Sequence, residues 1–324
     1  MKAAVLHTLG GIPRYEDFPD PVPNGPDEIL INIKAASVKN IDRGRAMGSH
    51  YDKYVKLPIV VGIDGVGYTE DGKRVYTGFG EGAIAEKTIV NRKRCIPLSD
   101  GIDDVTAAAL PNPGLSAWFS LSYRAAMKPG DKVLILGATG ITGKIAVQLA
   151  RYFGASSVVA TGRNEKQLQS LPALGADVVI SLAQSEEDLK NALKAEAAKA
   201  PFDIVIDYVW GRPAELVLDM LSGHDLNAEP HRTRYVQVGN MAGANITLNA
   251  GILRSAAIEL YGVGGGSIPK EVMRTVPGEI LPKLVDLVVT GKLKMDIYTA
   301  PLSDVENAWQ LGDVDGKRLV ITMD

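Results

Sequence analysis

Residues 131–154 constrain the fold more than any other stretch of the 324-residue chain. They read Asp-Lys-Val-Leu-Ile-Leu-Gly-Ala-Thr-Gly-Ile-Thr-Gly-Lys-Ile-Ala-Val-Gln-Leu-Ala-Arg-Tyr-Phe-Gly. Residues 133–136 form an apolar run without charge, the pattern of a strand covered on both faces. Residues 137–143 are a glycine-rich turn. Ile145, Ala146, Leu149 and Phe153 then recur at helical spacing, and Gly154 stands where such a helix stops. Strand, glycine turn and helix in this order predict a dinucleotide-binding βα unit.

The glycines of the turn have separate uses. Gly140 has no Cβ, so a pyrophosphate can approach the backbone there. Gly143 lets the new helix pack tightly on its strand. Around Ile141 and Thr142 the helix start offers unpaired N–H groups and the positive end of its dipole, with Thr139 in the turn before it. Ala138 replaces the first glycine of the usual fingerprint, so the motif reads Ala-x-Gly-x-x-Gly. The alternative is a bare glycine turn with no ligand.

The second strand discriminates between dinucleotides. Residues 158–160 form it, and it ends in Thr161-Gly162-Arg163-Asn164. A site for the non-phosphorylated cofactor usually carries Asp or Glu at this tip, to hold the ribose hydroxyls. Here Arg163 and Lys166 stand instead, and the nearest acid, Glu165, is expected to point away in the first helical turn. Two cations without a carboxylate suit a 2′-phosphate, which the planar fork of Arg163 can grip. The expected cofactor is NADPH; the alternative is a solvated pair of cations.

Composition narrows the class. The chain is 46% hydrophobic and 23% charged, enough for ordinary globular cores, and its length suits two domains. A net charge of −3 argues against a nucleic-acid surface, and Arg92-Lys93-Arg94 is too short to reverse that. No apolar stretch is long enough to span a bilayer. The first residues lack the apolar core of a signal peptide, so the expected location is cytoplasmic. The single cysteine, Cys95, forbids an internal disulfide and any cysteine-rich zinc lobe.

The first part of the chain reads as β structure. Residues 2–7 and 28–36 are candidate strands, the second alternating through Ile29, Ile31 and Ile33, with a proline-rich loop between them. Residues 38–58 read as an irregular polar and aromatic binding loop. Short strands at 59–61, 65–69, 74–77, 83–89 and 95–97, separated by glycines, suggest a small barrel. Residues 104–125 read as helix interrupted by Pro111-Asn112-Pro113-Gly114. After the glycine turn, strands at 178–181, 204–207, 234–239 and 258–262 alternate with helices at 165–174, 186–199 and 214–221. This alternation predicts a doubly wound parallel sheet with its crevice at the strand carboxyl ends. Gly239-Asn240 and Gly264, within residues 262–266, fall at such ends. Glycine there permits close approach to a nicotinamide and Asn240 can hydrogen-bond it; the alternative is ordinary tight turns. Helices at 281–290 and 305–311 and a strand at 318–322 close the chain. The polar insertion 223–232 has no assigned purpose.

Several further stretches coincide with one family. In order they are Ala36-Ser37-Val38-Lys39-Asn40-Ile41-Asp42, Gly62-Ile63-Asp64-Gly65-Val66-Gly67, Gly82-Ala83-Ile84-Ala85-Glu86, Gly114-Leu115-Ser116-Ala117-Trp118, Pro129-Gly130-Asp131, and Pro301-Leu302-Ser303-Asp304-Val305-Glu306-Asn307-Ala308-Trp309. Together with the glycine turn they resemble the zinc-independent quinone oxidoreductase branch of the medium-chain dehydrogenase/reductases. The resemblance implies an α/β chain in which a GroES-like β-barrel catalytic domain, residues 1–125, is completed by residues 263–324. A Rossmann domain for NADPH, residues 126–262, lies between. It also implies a homodimer formed through an edge strand of the nucleotide domain.

Zinc-dependent relatives bind their metal through a cysteine and a Gly-His-Glu. Here those positions hold Lys39 and Gly62-Ile63-Asp64, and His7, His50, His224 and His231 lack ligand spacing. No metal is expected. Without a Lewis acid a conjugated acceptor is the easier target, because the added electron pair moves onto an oxygen already in the π system. The expected reaction is hydride transfer from NADPH to a quinone or α,β-unsaturated carbonyl. A 2-enoyl-thioester reductase and an NADPH-binding sensor with little turnover are the alternatives. By the resemblance, Asn40 or Lys39 is the polar group near the nicotinamide, and Tyr51 donates a hydrogen bond or proton to the substrate oxygen. Ser116 touches the nicotinamide or a phosphate. Asp42 is read as structural. Leu182 stands where relatives carry a cofactor-stacking tyrosine.

Overall fold

The computed structural model describes residues 1–223, 227, 229–311 and 316–323. His224 and part of the 223–232 insertion therefore lie outside the described residues. The chain divides into two compact units. One comprises Met1–Pro111, Leu281–Gly291 and Met295–Asp324, and the other Asn112–Ile280 and Lys292–Lys294.

The first unit contains β1 (Lys2–Leu6), β2 (Arg14–Asp17), β3 (Glu28–Ser37), α1 (Asn40–Met47), β4 (Ile59–Val60), β5 (Val66–Thr69), β6 (Arg74–Tyr76), β7 (Lys87–Asn91), β8 (Ile96–Pro97) and α2 (Asp104–Ala109). The helix α3 (Pro111–Trp118) then leads into the second unit. That unit holds β9 (Lys132–Leu136), α4 (Ile141–Tyr152), β10 (Ser157–Gly162), α5 (Glu165–Leu168), β11 (Val178–Ser181), α6 (Glu186–Lys199), β12 (Ile204–Asp207), α7 (Gly211–Leu221), β13 (Thr233–Gln237), α8 (Ala250–Ser255), β14 (Ile258–Gly262) and α9 (Lys270–Met273). The chain returns to the first unit with α10 (Leu281–Val289), β15 (Ile297–Pro301), α11 (Val305–Leu311) and β16 (Arg318–Thr322).

In the first unit β3 is the hub. It pairs antiparallel with β16, β5 and β7, within the order β15-β16-β3-β5-β6-β8. Ile31 and Ile33 face inward, alternating with exposed Asn32 and Lys34, and meet Ile84, Trp309, Leu319 and Ile321 in the core. A smaller sheet, β2-β1-β4, stands beside this one. The late strands β15 and β16 thus complete a sheet begun by residues 28–37.

In the second unit six parallel strands run β11-β10-β9-β12-β13-β14. In sequence order this is 3-2-1-4-5-6, the doubly wound arrangement, with its switch point between β9 and β12. All five residues of β9 are buried, because helices cover both faces of a parallel sheet.

Two expectations differ from the structure, in residues 38–58 and in the unit boundaries. Residues 38–58 are not wholly irregular, since α1 occupies Asn40–Met47. Its apolar periodicity is absent; the helix is set by Asp42, whose carboxylate accepts the Lys39 N–H, and by Gly48, left-handed at φ 73°, at its end. The helical run 104–125 is interrupted where expected, α2 ending at Ala109, and Pro111-Asn112-Pro113-Gly114 opens α3, because proline suits a first turn. The unit boundaries fall at 111/112 and 280/281, not 125/126 and 262/263. Arg234 explains part of that shift: its guanidinium donates to the carbonyls of Ala125 (2.8 Å) and Ala126 (3.2 Å). Arg124 likewise donates to the Ser267 carbonyl.

Candidate active site

The parallel sheet brings the carboxyl ends of its strands to one edge. After β9, Gly137 turns the chain at φ 82°, where a side chain would lie 2.8 Å from Val209 Cγ1. Ala138 donates its N–H to the Thr161 carbonyl (2.7 Å), so the turn is laced to β10. Gly140 is the N-cap of α4, and no side chain caps that helix. A Cβ at Gly140 would meet only the Gly137 carbonyl, at 3.8 Å, so this side of the turn is open. A Cβ at Gly143 would lie 2.4 Å from the same oxygen and 2.5 Å from Ala138 Cα. Helix α4 therefore sits closer to its strand than any other residue permits. Open backbone, free first-turn N–H groups at Ile141 and Thr142 and the positive helix end form an anion cradle.

Thr139 packs against Gly162, where a Cβ would lie 2.3 Å from Thr139 Cγ2. This contact sets the tip of β10 beside the cradle. Arg163 and Lys166 at that tip are exposed, and among the described residues neither makes an ion pair. Glu165 is engaged elsewhere, accepting the Ser181 hydroxyl. Asn164 Oδ1 accepts the Gln167 N–H (3.1 Å) and caps α5, so that oxygen serves the helix. Ser116 lies in α3, its carbonyl accepting the Ser120 hydroxyl (2.7 Å).

Across the switch point, β12 ends in buried Asp207. Its carboxylate accepts the N–H groups of Val209 and Trp210 (both 2.8 Å) and the Tyr235 hydroxyl (2.7 Å). Burial raises its pKa, against those three donors. Gly239 follows β13 so closely packed that a Cβ would lie 2.5 Å from the Tyr208 carbonyl. Asn240 is exposed beside it. Gly264, after β14, has open space around it and donates to Ser267 Oγ (2.9 Å). Apart from Ser116, in α3, the expected cofactor residues of this unit thus follow the carboxyl ends of strands in one sheet.

The three expected catalytic residues fare differently. Lys39 is 1% exposed, and its ammonium contacts Ser37 O (2.5 Å), Asp64 Oδ1 (2.7 Å), Ser37 Oγ (3.1 Å) and Asp42 Oδ2 (3.2 Å). A group so enclosed does not face a ligand, which corrects the expectation of Lys39 beside a nicotinamide. Asn40 is exposed at the first position of α1, and Tyr51 is 81% exposed, its ring 4.0 Å from His50.

Sequence reading missed most of the cluster around Lys39. Asp42 accepts the Lys39 N–H (2.8 Å) and the Ile63 N–H (3.0 Å), so it bonds loop backbone. Tyr76 donates its hydroxyl to Asp64 Oδ2 (2.8 Å). Burial raises the Asp64 pKa, opposed by Lys39. One buried ammonium thus serves two carboxylates. Asp64 was legible only as part of a motif, because its partner lies 25 residues away. Among the described residues no group of three or more His, Cys, Asp and Glu could hold a metal ion.

Comparison with known proteins agrees with this arrangement. A family model described as zinc-binding dehydrogenase matches residues 142–276. The chain is 31% identical to a probable NADPH-dependent quinone reductase of Emericella nidulans, with 99% of each chain covered. The quinone oxidoreductase of Thermus thermophilus, solved alone and with NADPH, is 26% identical with a TM-score of 0.78, covering 99% of this chain and all (100%) of that one. The quinone oxidoreductase of Escherichia coli complexed with NADPH is 24% identical with a TM-score of 0.85, over 99% and 100% of the two chains, and shows the fold. The chain belongs to the zinc-independent quinone oxidoreductase branch of the medium-chain dehydrogenase/reductase superfamily.

Proposed function

We propose that this protein is an NADPH-dependent reductase of quinones and α,β-unsaturated carbonyls. The observation that carries the reading is the pair Arg163 and Lys166, exposed and free of carboxylate partners beside an uncapped α4. A relative named a probable NADPH-dependent quinone reductase, aligned over 99% of both chains, supports it.

The residues fit the cofactor. Gly140 and the N–H groups of Ile141 and Thr142 hold the pyrophosphate, and Thr139 keeps the turn on β10. Arg163 and Lys166 take the 2′-phosphate, with Asn164 as the helix cap that holds the tip in place. Gly239, Asn240, Gly264 and Ser116 serve the nicotinamide side. When bound, NADPH supplies a hydride from nicotinamide C4. Tyr51 donates a hydrogen bond to the acceptor oxygen as negative charge develops there, and Asn40 adds a second polar contact. Lys39 is a positioning residue: its buried ion pairs fix the start of α1 and hence Asn40. Orientation and oxyanion stabilisation are the protein's contributions.

Small molecules are the expected reaction partners. The proposal includes a homodimer through β14, an edge strand of the six-stranded sheet that leaves Leu260 40% exposed. It includes a cytosolic location, where the free thiol of Cys95 stays reduced. No described helix is long and apolar enough to cross a membrane.

The test is NADPH oxidation with a panel of quinones, enones and 2-enoyl thioesters. Quinones and enones are expected to turn over fastest. Preference for thioesters moves the assignment to enoyl reduction, and no oxidation with any acceptor removes both reductase readings.

A further inference from the structure

Trp210 holds a backbone conformation that suits glycine. Its φ is 54° and ψ −155°, and among described residues only Ala126 (φ 43°) is another non-glycine at positive φ. Such a conformation costs on the order of 1–3 kcal/mol and persists only where the surroundings enforce it. Here they do. Asp207 accepts the N–H groups of both Val209 and Trp210 at 2.8 Å. The next residue, Gly211, is also left-handed (φ 58°) and pressed on the Ala242 carbonyl, 2.8 Å from where its Cβ would be. On the other side, Val209 is packed against Gly137 of the phosphate turn.

The enforced backbone carries a large aromatic ring. The indole stands edge-on to Tyr235, with centroids 6.4 Å apart at 69°, and is only partly buried. Among the described residues its N–H has no hydrogen-bond partner. Glycine would relieve the strain, so core packing alone does not account for a half-exposed tryptophan here. Its place in the fold is informative. Trp210 follows β12, the strand beside β9 at the switch point, on the edge that carries the phosphate cradle. It shares the rim of one apolar cluster with Leu182, which follows β11. The strands β10 and β11 form the half of the sheet that presents Arg163 and Lys166; Gly239, Asn240 and Gly264 belong to the other half.

We infer that the face of the Trp210 indole is the platform on which the adenine ring of the cofactor stacks. The inference rests on the NADPH reading above. Arg163 fixes the phosphate on the adenosine ribose; Trp210 follows the first strand past the switch point, tied to the Arg163 side by Val209 against Gly137 and by the apolar cluster it shares with Leu182, and its ring meets the adenine joined to that ribose. Indole and purine stack through complementary π-faces, and the polar ring edges stay in water. The strained backbone is kept because it aims the ring.

The test compares wild-type protein with Trp210→Gly and Trp210→Phe by calorimetric titration, using NADPH, 2′,5′-ADP and reduced nicotinamide mononucleotide, and by ligand-free thermal melts. Trp210→Gly is expected to weaken NADPH and 2′,5′-ADP each by roughly tenfold or more. Binding of the mononucleotide stays unchanged, and the melting temperature shifts little because glycine releases the strain. The chain has three tryptophans. Quenching of their fluorescence by 2′,5′-ADP is expected in the wild type and lost in Trp210→Phe, which decides the matter if the glycine variant does not fold. Unchanged 2′,5′-ADP affinity in folded Trp210→Gly, or equal quenching in Trp210→Phe, overturns the stacking role. So does weakening confined to the mononucleotide, which would move the indole to the nicotinamide. A wild type that binds neither NADPH nor 2′,5′-ADP overturns the NADPH reading itself, and this inference with it.

Discussion

Two short segments, 137–140 in the nucleotide unit and 37–42 in the other, each begin a helix by different means. Before α4 the turn is shaped by missing side chains: Gly140 leaves the backbone open, Gly143 lets the helix close on Ala138, and no side chain caps the start. Before α1 the backbone is held by charged side chains, with Asp42 capping Lys39 and Lys39 paired to Asp64 out of water. The first leaves its N–H groups to an outside anion. The second satisfies every group internally and offers no ligand the cluster itself. Binding and scaffolding are separated at the level of the helix cap.

Removing one partner of the buried cluster should have the largest effect. Lys39→Met leaves two buried carboxylates, Asp42 and Asp64, without their ammonium, and a loss of about 3–5 kcal/mol in urea unfolding is expected. Lys39→Met/Asp64→Leu together should recover part of it, since only Asp42 is then left without the ammonium and it keeps the backbone N–H groups of residues 39 and 63. A single variant within about 1 kcal/mol of wild type would mean that the pair does not organise α1.

The glycine turn should divide stability from binding. Gly143→Ala forces a Cβ to 2.4 Å from a carbonyl oxygen, and about 1–3 kcal/mol of folding stability should be lost. Gly140→Ala points into open space and should cost about 1 kcal/mol or less, the loss of a favourable N-cap residue, while weakening NADPH binding. Calorimetric titration beside urea melts separates the two. Equal losses of stability would erase the distinction between the glycines.

Arg163→Ala should weaken NADPH roughly tenfold and leave NADH alone, because only one of them carries the phosphate. Equal weakening would remove Arg163 from the phosphate site.

The smallest effect concerns Asp177, which anchors the start of β10. Burial opposes its ionisation, but the Val158 N–H and Arg151 hold its pKa below the usual carboxylate value. A depressed folded-state pKa stabilises the fold above the unfolded value near 3.8, and the stabilisation fades as pH falls through both values. The side chain is 44% exposed, so less than about 1 kcal/mol is expected. Asp177→Asn should flatten the stability curve below about pH 4; a curve parallel to wild type would assign that slope to other acids.

Local backbone demands were legible in the sequence; long-range pairings were not. Residues 178–181, 186–199, 204–207 and 258–262 fold as their patterns predicted, because a two-sided apolar strand and an amphipathic helix are properties of neighbouring residues. The glycine turn between β9 and α4 was legible for the same reason. Helix α1 was hidden because Asp42 and Arg45 are its buried residues beside Ala46, so apolar spacing marks nothing. The partnership of Lys39 with Asp64 exists only once β3 and the 62–65 loop meet. Asn164 was read as a cofactor residue, and in the fold its oxygen is spent first on a helix cap. Trp210 is the clearest limit: its chemistry is written in the sequence, but its glycine-like backbone is not.

The reading as a whole turns on where a hydride goes. NADPH carrying deuterium at both positions of nicotinamide C4, mixed with the protein and an α,β-unsaturated ketone, should give a saturated ketone with one deuterium on the β-carbon, read by mass spectrometry, and a solvent proton on the α-carbon. Saturated ketone without deuterium at the β-carbon, or consumption of NADPH without reduction of the enone or of any quinone tried in its place, would contradict it.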